Sequence, residues 1–164
     1  MKYLFSYCCN YKGTENQLPD CELDGKRLIS KLKDYQVTSY KQGSPQLLVD
    51  FINNVNQVVK PDDTVLIQFS GHGSQYRVPS TIEKDGYLET LVFWDGNNYT
   101  LLSDKTFIKL TDSIKCKTIV IYDSCYSGGF NALVGTDKII RSTAVKGELF
   151  ELELNPVRSA SKKC

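Results

Sequence analysis

Apolar positions along the chain switch repeatedly between strand-like runs and helix-like spacing. Residues 2–9 (KYLFSYCC) are short, aromatic-rich and almost uncharged, which predicts a buried strand. Gly13, Asn16 and Pro19 then predict a loop over residues 10–20. Over residues 22–34 the apolar positions Leu28, Ile29 and Leu32, with Tyr35 just beyond, fall on one helical face. The β-branched stretch QVTSY (residues 36–40) predicts a short strand. Leu47, Leu48, Phe51, Ile52, Val55, Val58 and Val59 form a continuous stripe at helical spacing. Ser44 suits the cap of that helix, Pro45 its first turn, and Pro61 ends it.

The second half continues the alternation. TVLIQF (residues 64–69) predicts a strand that leaves through Gly71 and Gly73, in a connection over residues 70–75. LETLVFW (residues 88–94) predicts another, bounded by the turn Asp95-Gly96-Asn97-Asn98. Ser103 caps a short helix through Phe107, Leu110 and Ile114, and KTIVIY (residues 117–122) reads as a buried strand broken at residues 123–129. Beyond Phe130 the pattern weakens to one further strand within residues 144–154 and a basic tail over residues 155–164. Strands alternating with helices require crossovers, so the expected fold is α/β, a mostly parallel sheet covered on both faces. In such sheets function gathers beyond the carboxyl ends of the strands, where residues 70–75 and 123–129 both fall.

Length and charge narrow the function classes. A chain of 164 residues predicts one compact domain able to hold a core without staples. Twenty Lys and Arg against nineteen Asp and Glu give +1, which points to neither nucleic acid nor an anionic membrane as partner. No apolar run approaches the roughly 18 residues of a membrane span. The opening Met1-Lys2 leads to no small-residue cleavage site, so the expected location is cytoplasmic. Six cysteines contain no C-x-x-C, which argues against a zinc ribbon or finger. Cys8, Cys9 and Cys116 are expected to be small buried apolar groups.

His72 is the only histidine, so any chemistry needing an imidazole must use it. It sits in FSGHGSQ (residues 69–75) just past one strand, and Cys125 sits in IYDSCYSGG (residues 121–129) just past another. The two strands are separated by one covering helix, which suits neighbours in the sheet and would bring imidazole and thiol to one rim. A thiol with pKa near 8.5 is a modest nucleophile at neutral pH, and an imidazole beside it can take its proton. The backbone N–H groups of Gly73 and Cys125 would then face a carbonyl oxygen as it gains charge, forming an oxyanion hole.

S-G-H-G-S-Q after one strand and D-S-C-x-S-G-G after the next, 53 residues apart, resemble the caspase-like cysteine peptidases, and among them the metacaspases. Residues 11–21 (YKGTENQLPDC) with Asp24, residues 83–90 (EKDGYLET) and residues 99–107 support the resemblance, which covers about residues 2–130. It implies a caspase-like three-layer α/β/α sandwich: one catalytic domain over residues 1–154, with a large-subunit-like part (1–130) and a short remnant (131–154), then a flexible tail. It implies a cysteine endopeptidase acting on protein or peptide substrates after Arg or Lys, with Cys125 as nucleophile and His72 as acid–base. Asp24, Asp123, Cys21 and Ser70 match the positions lining the pocket for that basic side chain. Two carboxylates there complement a cation and repel the aspartate preferred by true caspases.

The resemblance also implies calcium, held in the family by four acidic residues, of which Asp85 and Asp104 match two. Ser103 stands at a third position, and Asn131 and Ala132 stand where a fourth carboxylate would lie. Two carboxylates make a poor calcium site, so the expectation is no required cofactor and a weak or vestigial site. The reduced part after Phe130 raises the prospect of a second chain supplying the small-subunit part, and Lys138, Arg141 and Lys146 are candidate self-cleavage positions. The competing reading is a catalytically silent caspase-like scaffold that binds basic peptides or regulates a full-length peptidase. A flavodoxin- or receiver-like domain is disfavoured by Cys9-Asn10-Tyr11 after the first strand, and no Walker or dinucleotide glycine pattern is present.

Overall fold

The structure, a computed structural model, describes residues 1–124 and 148–150. Its elements run β1 (Lys2–Cys8), α1 (Cys21–Lys31), β2 (Gln36–Tyr40), α2 (Gln46–Val58), β3 (Thr64–Ser70), β4 (Gly73–Arg77), β5 (Tyr87–Trp94), β6 (Tyr99–Ser103), α3 (Asp104–Asp112), β7 (Lys117–Asp123) and β8 (Glu148–Leu149). The parallel sheet has the order β2-β1-β3-β7. This is the α/β architecture that the alternation of strands and helices requires. Cys125, the candidate cleavage positions and the tail lie outside the described residues.

Each face of the parallel sheet is read off the strand alternation. Phe5 and Tyr7 of β1, with Val65, Ile67 and Phe69 of β3, join Leu48, Phe51, Ile52 and Val55 of α2 in the main core. The other face carries the buried polar pair Ser6 and Gln68, in which Ser6 Oγ donates to Gln68 Oε1 at 2.8 Å, and is covered by α1. A Cβ on Gly25 would lie 2.9 Å from Cys8 Sγ, so glycine lets α1 settle directly on β1. The cap of α3 is the expected Ser103, whereas the residue at the cap of α2 is Pro45, with Ser44 one position before it. Ser44 Oγ accepts from the Gln46 N–H at 3.3 Å, and Ser103 Oγ accepts from the Thr106 N–H at 3.2 Å.

Three features depart from the sequence reading. Residues 73–77 form a strand rather than part of a connection, and Tyr99–Ser103 adds another, giving a second sheet in the order β4-β5-β6-β8. Its β4–β5–β6 portion is antiparallel and packs Leu91, Phe93, Leu101 and Leu102 into the main core. Polar GSQYR hides β4 from an apolar-pattern reading because only its first two residues are buried. Next, β7 is half-buried or exposed along its length, with Ile121 at 39% exposure. Among the described residues it is hydrogen-bonded on one side only, to β3. Finally, Cys116 is half-buried rather than buried, unlike Cys8 and Cys9.

These contacts predict a graded response in urea unfolding. Ile52→Ala removes a side chain that is 1% exposed and should cost about 2–5 kcal/mol. Ser103→Ala removes the α3 cap together with a hydrogen bond to Thr106 Oγ1 and should cost about 1 kcal/mol.

Candidate active site

The site is built where β3 and β7 end together. Their register pairs Ser70 with Asp123, and the Gly71 N–H extends the pairing by donating to the Asp123 carbonyl at 3.1 Å. His72 therefore leaves the sheet beside the strand end that leads to Cys125. Their adjacency in the sheet is as the spacing suggested; the thiol itself lies outside the described residues. Ser124, the last described residue before it, has a buried Oγ with no hydrogen-bond partner among the described residues.

His72 is held from several directions. Its imidazole is buried, packs against the Tyr11 ring at 4.7 Å, and places Nε2 2.6 Å from the Asn16 carbonyl. A carbonyl can only accept, so Nε2 carries the proton and Nδ1 keeps a lone pair for another group. Burial lowers the pKa of His72 below the ordinary imidazole value, and the Asn16 carbonyl opposes this in part. The ring is thus neutral at pH 7, with a basic nitrogen available.

The backbone beside it bears on the proposed oxyanion hole. Val92 N–H donates to the His72 carbonyl at 2.9 Å, which makes residues 72 and 92 a hydrogen-bonded pair. Gly73, opposite Leu91, is then at the alternate position, so its N–H points away from β5.

The pocket residues named from sequence converge on the other side of this rim. Ser70 Oγ donates to Asp24 Oδ2 at 3.3 Å. The Cys21 thiol is pushed up to about 11, first by burial, with the Asp24 and Asp123 carboxylates adding to it and a hydrogen bond with Ser70 opposing. Cys8 is likewise raised to about 11, and the same two carboxylates contribute. One side chain from α1, one from the end of β3 and one from the end of β7 thus share a single electrostatic neighbourhood. Asp24 also lies 3.9 Å from Arg27, one turn along α1.

Asp85 and Asp104 are not brought together in the same way. Asp85 is exposed in the β4–β5 connection, where it lines a cavity of about 560 Å³ and accepts from the Tyr87 N–H. Asp104 is buried at the start of α3; burial raises its pKa, and the carboxylates pressing on it are Glu89 and Glu83. Lys105 pairs with Glu83 at 2.7 Å. No three His, Cys, Asp or Glu side chains among the described residues could together hold a metal ion. The described carboxylates do not by themselves fit calcium.

Two contributors escaped the sequence reading: Tyr11 and the Asn16 carbonyl. Both lie in the segment YKGTENQLPDC that carried part of the family resemblance, yet nothing in their residue types announces contact with His72.

The caspase-domain family profile matches residues 7–157, most of the chain and further than the motifs alone reach. The chain belongs to the caspase-domain family. Within it the relatives are metacaspases. Metacaspase-1 of Plasmodium falciparum (isolate 3D7) is 32% identical across 73% of this chain and 22% of its own length. Metacaspase-4 of Arabidopsis thaliana is 28% identical across 73% of this chain and 32% of its own. The chain thus spans between a fifth and a third of these curated relatives. A crystal structure of a Geobacter sulfurreducens protein superposes with a TM-score of 0.64 at 24% identity, over 76% of this chain and 50% of that one, and supports the fold. The family shown is thus the caspase-domain family, and metacaspases are among the proteins this chain is similar to. No helix among the described residues is long and apolar enough to cross a membrane.

The electrostatics of Cys21 are open to direct measurement. At pH 8, alkylation of Cys21 should be slow for a half-exposed thiol. Asp24→Asn removes one of the charges holding the thiolate off, so it should speed alkylation about twofold to fivefold. Peptide mapping with iodoacetamide reads the rate.

Proposed function

We propose that this caspase-domain chain is a cysteine endopeptidase cutting after Arg or Lys, with Cys125 and His72 as its dyad. The observation that carries this reading is the β3–β7 register, Ser70 opposite Asp123, which sets the strand ends before His72 and Cys125 side by side. His72 Nδ1 takes the proton from the Cys125 thiol, and the thiolate attacks the scissile carbonyl carbon. Negative charge moves to the carbonyl oxygen, facing the N–H groups of Gly73 and Cys125. His72 returns the proton to the leaving amine as the C–N bond breaks, leaving an acyl-enzyme. Water, deprotonated by His72, then hydrolyses the thioester and restores the thiol. The Asn16 carbonyl favours the Nε2–H tautomer that this sequence needs.

Asp24 and Asp123 supply the charge for a basic P1 side chain, with Ser70 holding Asp24 in place and Cys21 forming part of the wall. Calcium is not required in this reading, and Asp85 with Asp104 is at most a vestigial site. The scaffold reading keeps one specific observation in its favour. The exposed side of β7 leaves apolar Ile121 available to a further chain segment or a partner. Turnover and binding are separable by covalent labelling.

A fluorogenic panel with Arg, Lys or Asp at P1 tests the proposal. Arg and Lys substrates should be cleaved and Asp substrates not. Cys125→Ala should abolish turnover, and His72→Ala should lower it about 10²–10⁴-fold. Asp24→Asn and Asp123→Asn should each weaken kcat/KM for Arg substrates about tenfold or more. Because burial lowers the His72 pKa, the imidazole stays neutral until pH falls below the usual value of 6.5. The acid limb of kcat/KM should accordingly lie below that value. Chelator should leave the rate unchanged; loss with recovery at micromolar calcium would overturn the metal-free reading. An Arg-directed electrophile that labels wild type without turnover would favour the scaffold.

A further inference from the structure

We propose that Tyr11 is a positioning residue for His72, its hydroxyl wedged into the β4–β5 ladder to set how the imidazole leaves the rim. The inference rests on His72 being the acid–base of the site. A hydrogen-bonded antiparallel pair ordinarily exchanges two direct N–H···O=C bonds. Residues 72 and 92 exchange only one, from the Val92 N–H to the His72 carbonyl at 2.9 Å. In place of the other stands the Tyr11 hydroxyl, which accepts from the His72 N–H at 2.8 Å and donates to the Val92 carbonyl at 2.7 Å. A relay of two bonds holds the His72 amide farther from the Val92 carbonyl than a direct bond would.

The chain accepts an unfavourable local conformation to make this relay. Tyr11 has φ of 50°, a left-handed conformation that bulky residues avoid, and it is fully buried. Gly71 leaves the space for it: a Cβ there would lie 2.5 Å from the Tyr11 hydroxyl. The same turn supplies the second grip on His72. Thr14 Oγ1 donates to the Tyr11 carbonyl at 2.8 Å and accepts from the Asn16 N–H at 3.1 Å, which fixes the Asn16 carbonyl that meets Nε2. One loop therefore holds both the backbone and the ring of the only histidine. Burial and the Asn16 carbonyl are what shift this imidazole, so its titration reports on where the ring sits.

Tyr7 provides the internal control. Its hydroxyl accepts from the Trp94 N–H at 2.9 Å and reaches the Trp94 carbonyl at 3.3 Å, joining the two sheets without touching His72. The experiment is NMR of ¹³C,¹⁵N-histidine, which gives one imidazole signal set, in wild type, Tyr11→Phe, Gly71→Ala and Tyr7→Phe. Tyr11→Phe and Gly71→Ala should both raise the His72 titration midpoint toward that of free histidine and reduce the Nε2–H tautomer. Tyr7→Phe should leave both at wild-type values. With an Arg substrate, Tyr11→Phe should lower kcat about tenfold to a hundredfold and keep KM within about twofold. An unchanged His72 titration in Tyr11→Phe, or equal shifts in Tyr7→Phe and Tyr11→Phe, would overturn the proposal. If wild type cleaves nothing, the peptidase reading fails separately, and the histidine titration still decides the role of Tyr11. If Tyr11→Phe does not fold, amide hydrogen exchange in wild type decides: a His72 N–H exchanging at the rate of an unstructured amide overturns the relay.

Discussion

Parallel pairing of β3 with β7 is the constraint on which the site depends. A parallel ladder gives its strands a common direction and a fixed register, so whatever follows one strand emerges beside whatever follows the other. Here that brings Gly71-His72 next to Asp123-Ser124, with Gly71 still bonded to the Asp123 carbonyl. Local propensity has little part in this; it comes from the hydrogen-bonded ladder that seats β7 against the buried β3. A slip of one residue would move Ser70 away from Asp123 and turn the side chains of one strand to the opposite face.

Two environments of opposite character follow from that rim. On one side, burial keeps the imidazole neutral, while the Asn16 carbonyl fixes which ring nitrogen is free. On the other, burial first, with Asp24 and Asp123 adding to it, keeps the Cys21 thiol protonated. Under the proposed function, an uncharged imidazole would serve the thiol, and the carboxylates a short distance away would complement a cationic side chain. The second sheet contributes by covering His72. Without β5, Tyr11 would have no Val92 carbonyl to meet and the histidine backbone no fixed height.

Much of this architecture was legible in the chain. The stripe from Leu47 to Val55 reads as a helix from its spacing, though Val58 of the same stripe is exposed and Val59 lies past the helix end. The runs beginning at Lys2, Thr64 and Lys117 read as strands because they are short, apolar and rich in β-branched or aromatic residues. The position of His72 just past a strand end was legible as well, from the apolar run that precedes Gly71. Strand β4 was not, since GSQYR is polar and mostly uncovered, and its strand character comes from β5 lying alongside. The exposure of β7 was equally hidden: KTIVIY reads as interior, and only the order of strands shows that it has one described neighbour.

By itself, the sequence determined the periodic elements, the place of His72 between two glycines and of Cys125 shortly before Gly128-Gly129, and membership of the caspase-domain family, because these depend on spacing and residue type along a single line. Tertiary structure alone decided that a tyrosine hydroxyl sits between His72 and Val92. Those contacts join residues 61 and 81 positions apart, and hydrogen-bonding groups so distant meet only after the sheets have packed. A buried hydroxyl must find partners wherever packing leaves it, and that choice is made by three-dimensional proximity, which no local pattern encodes.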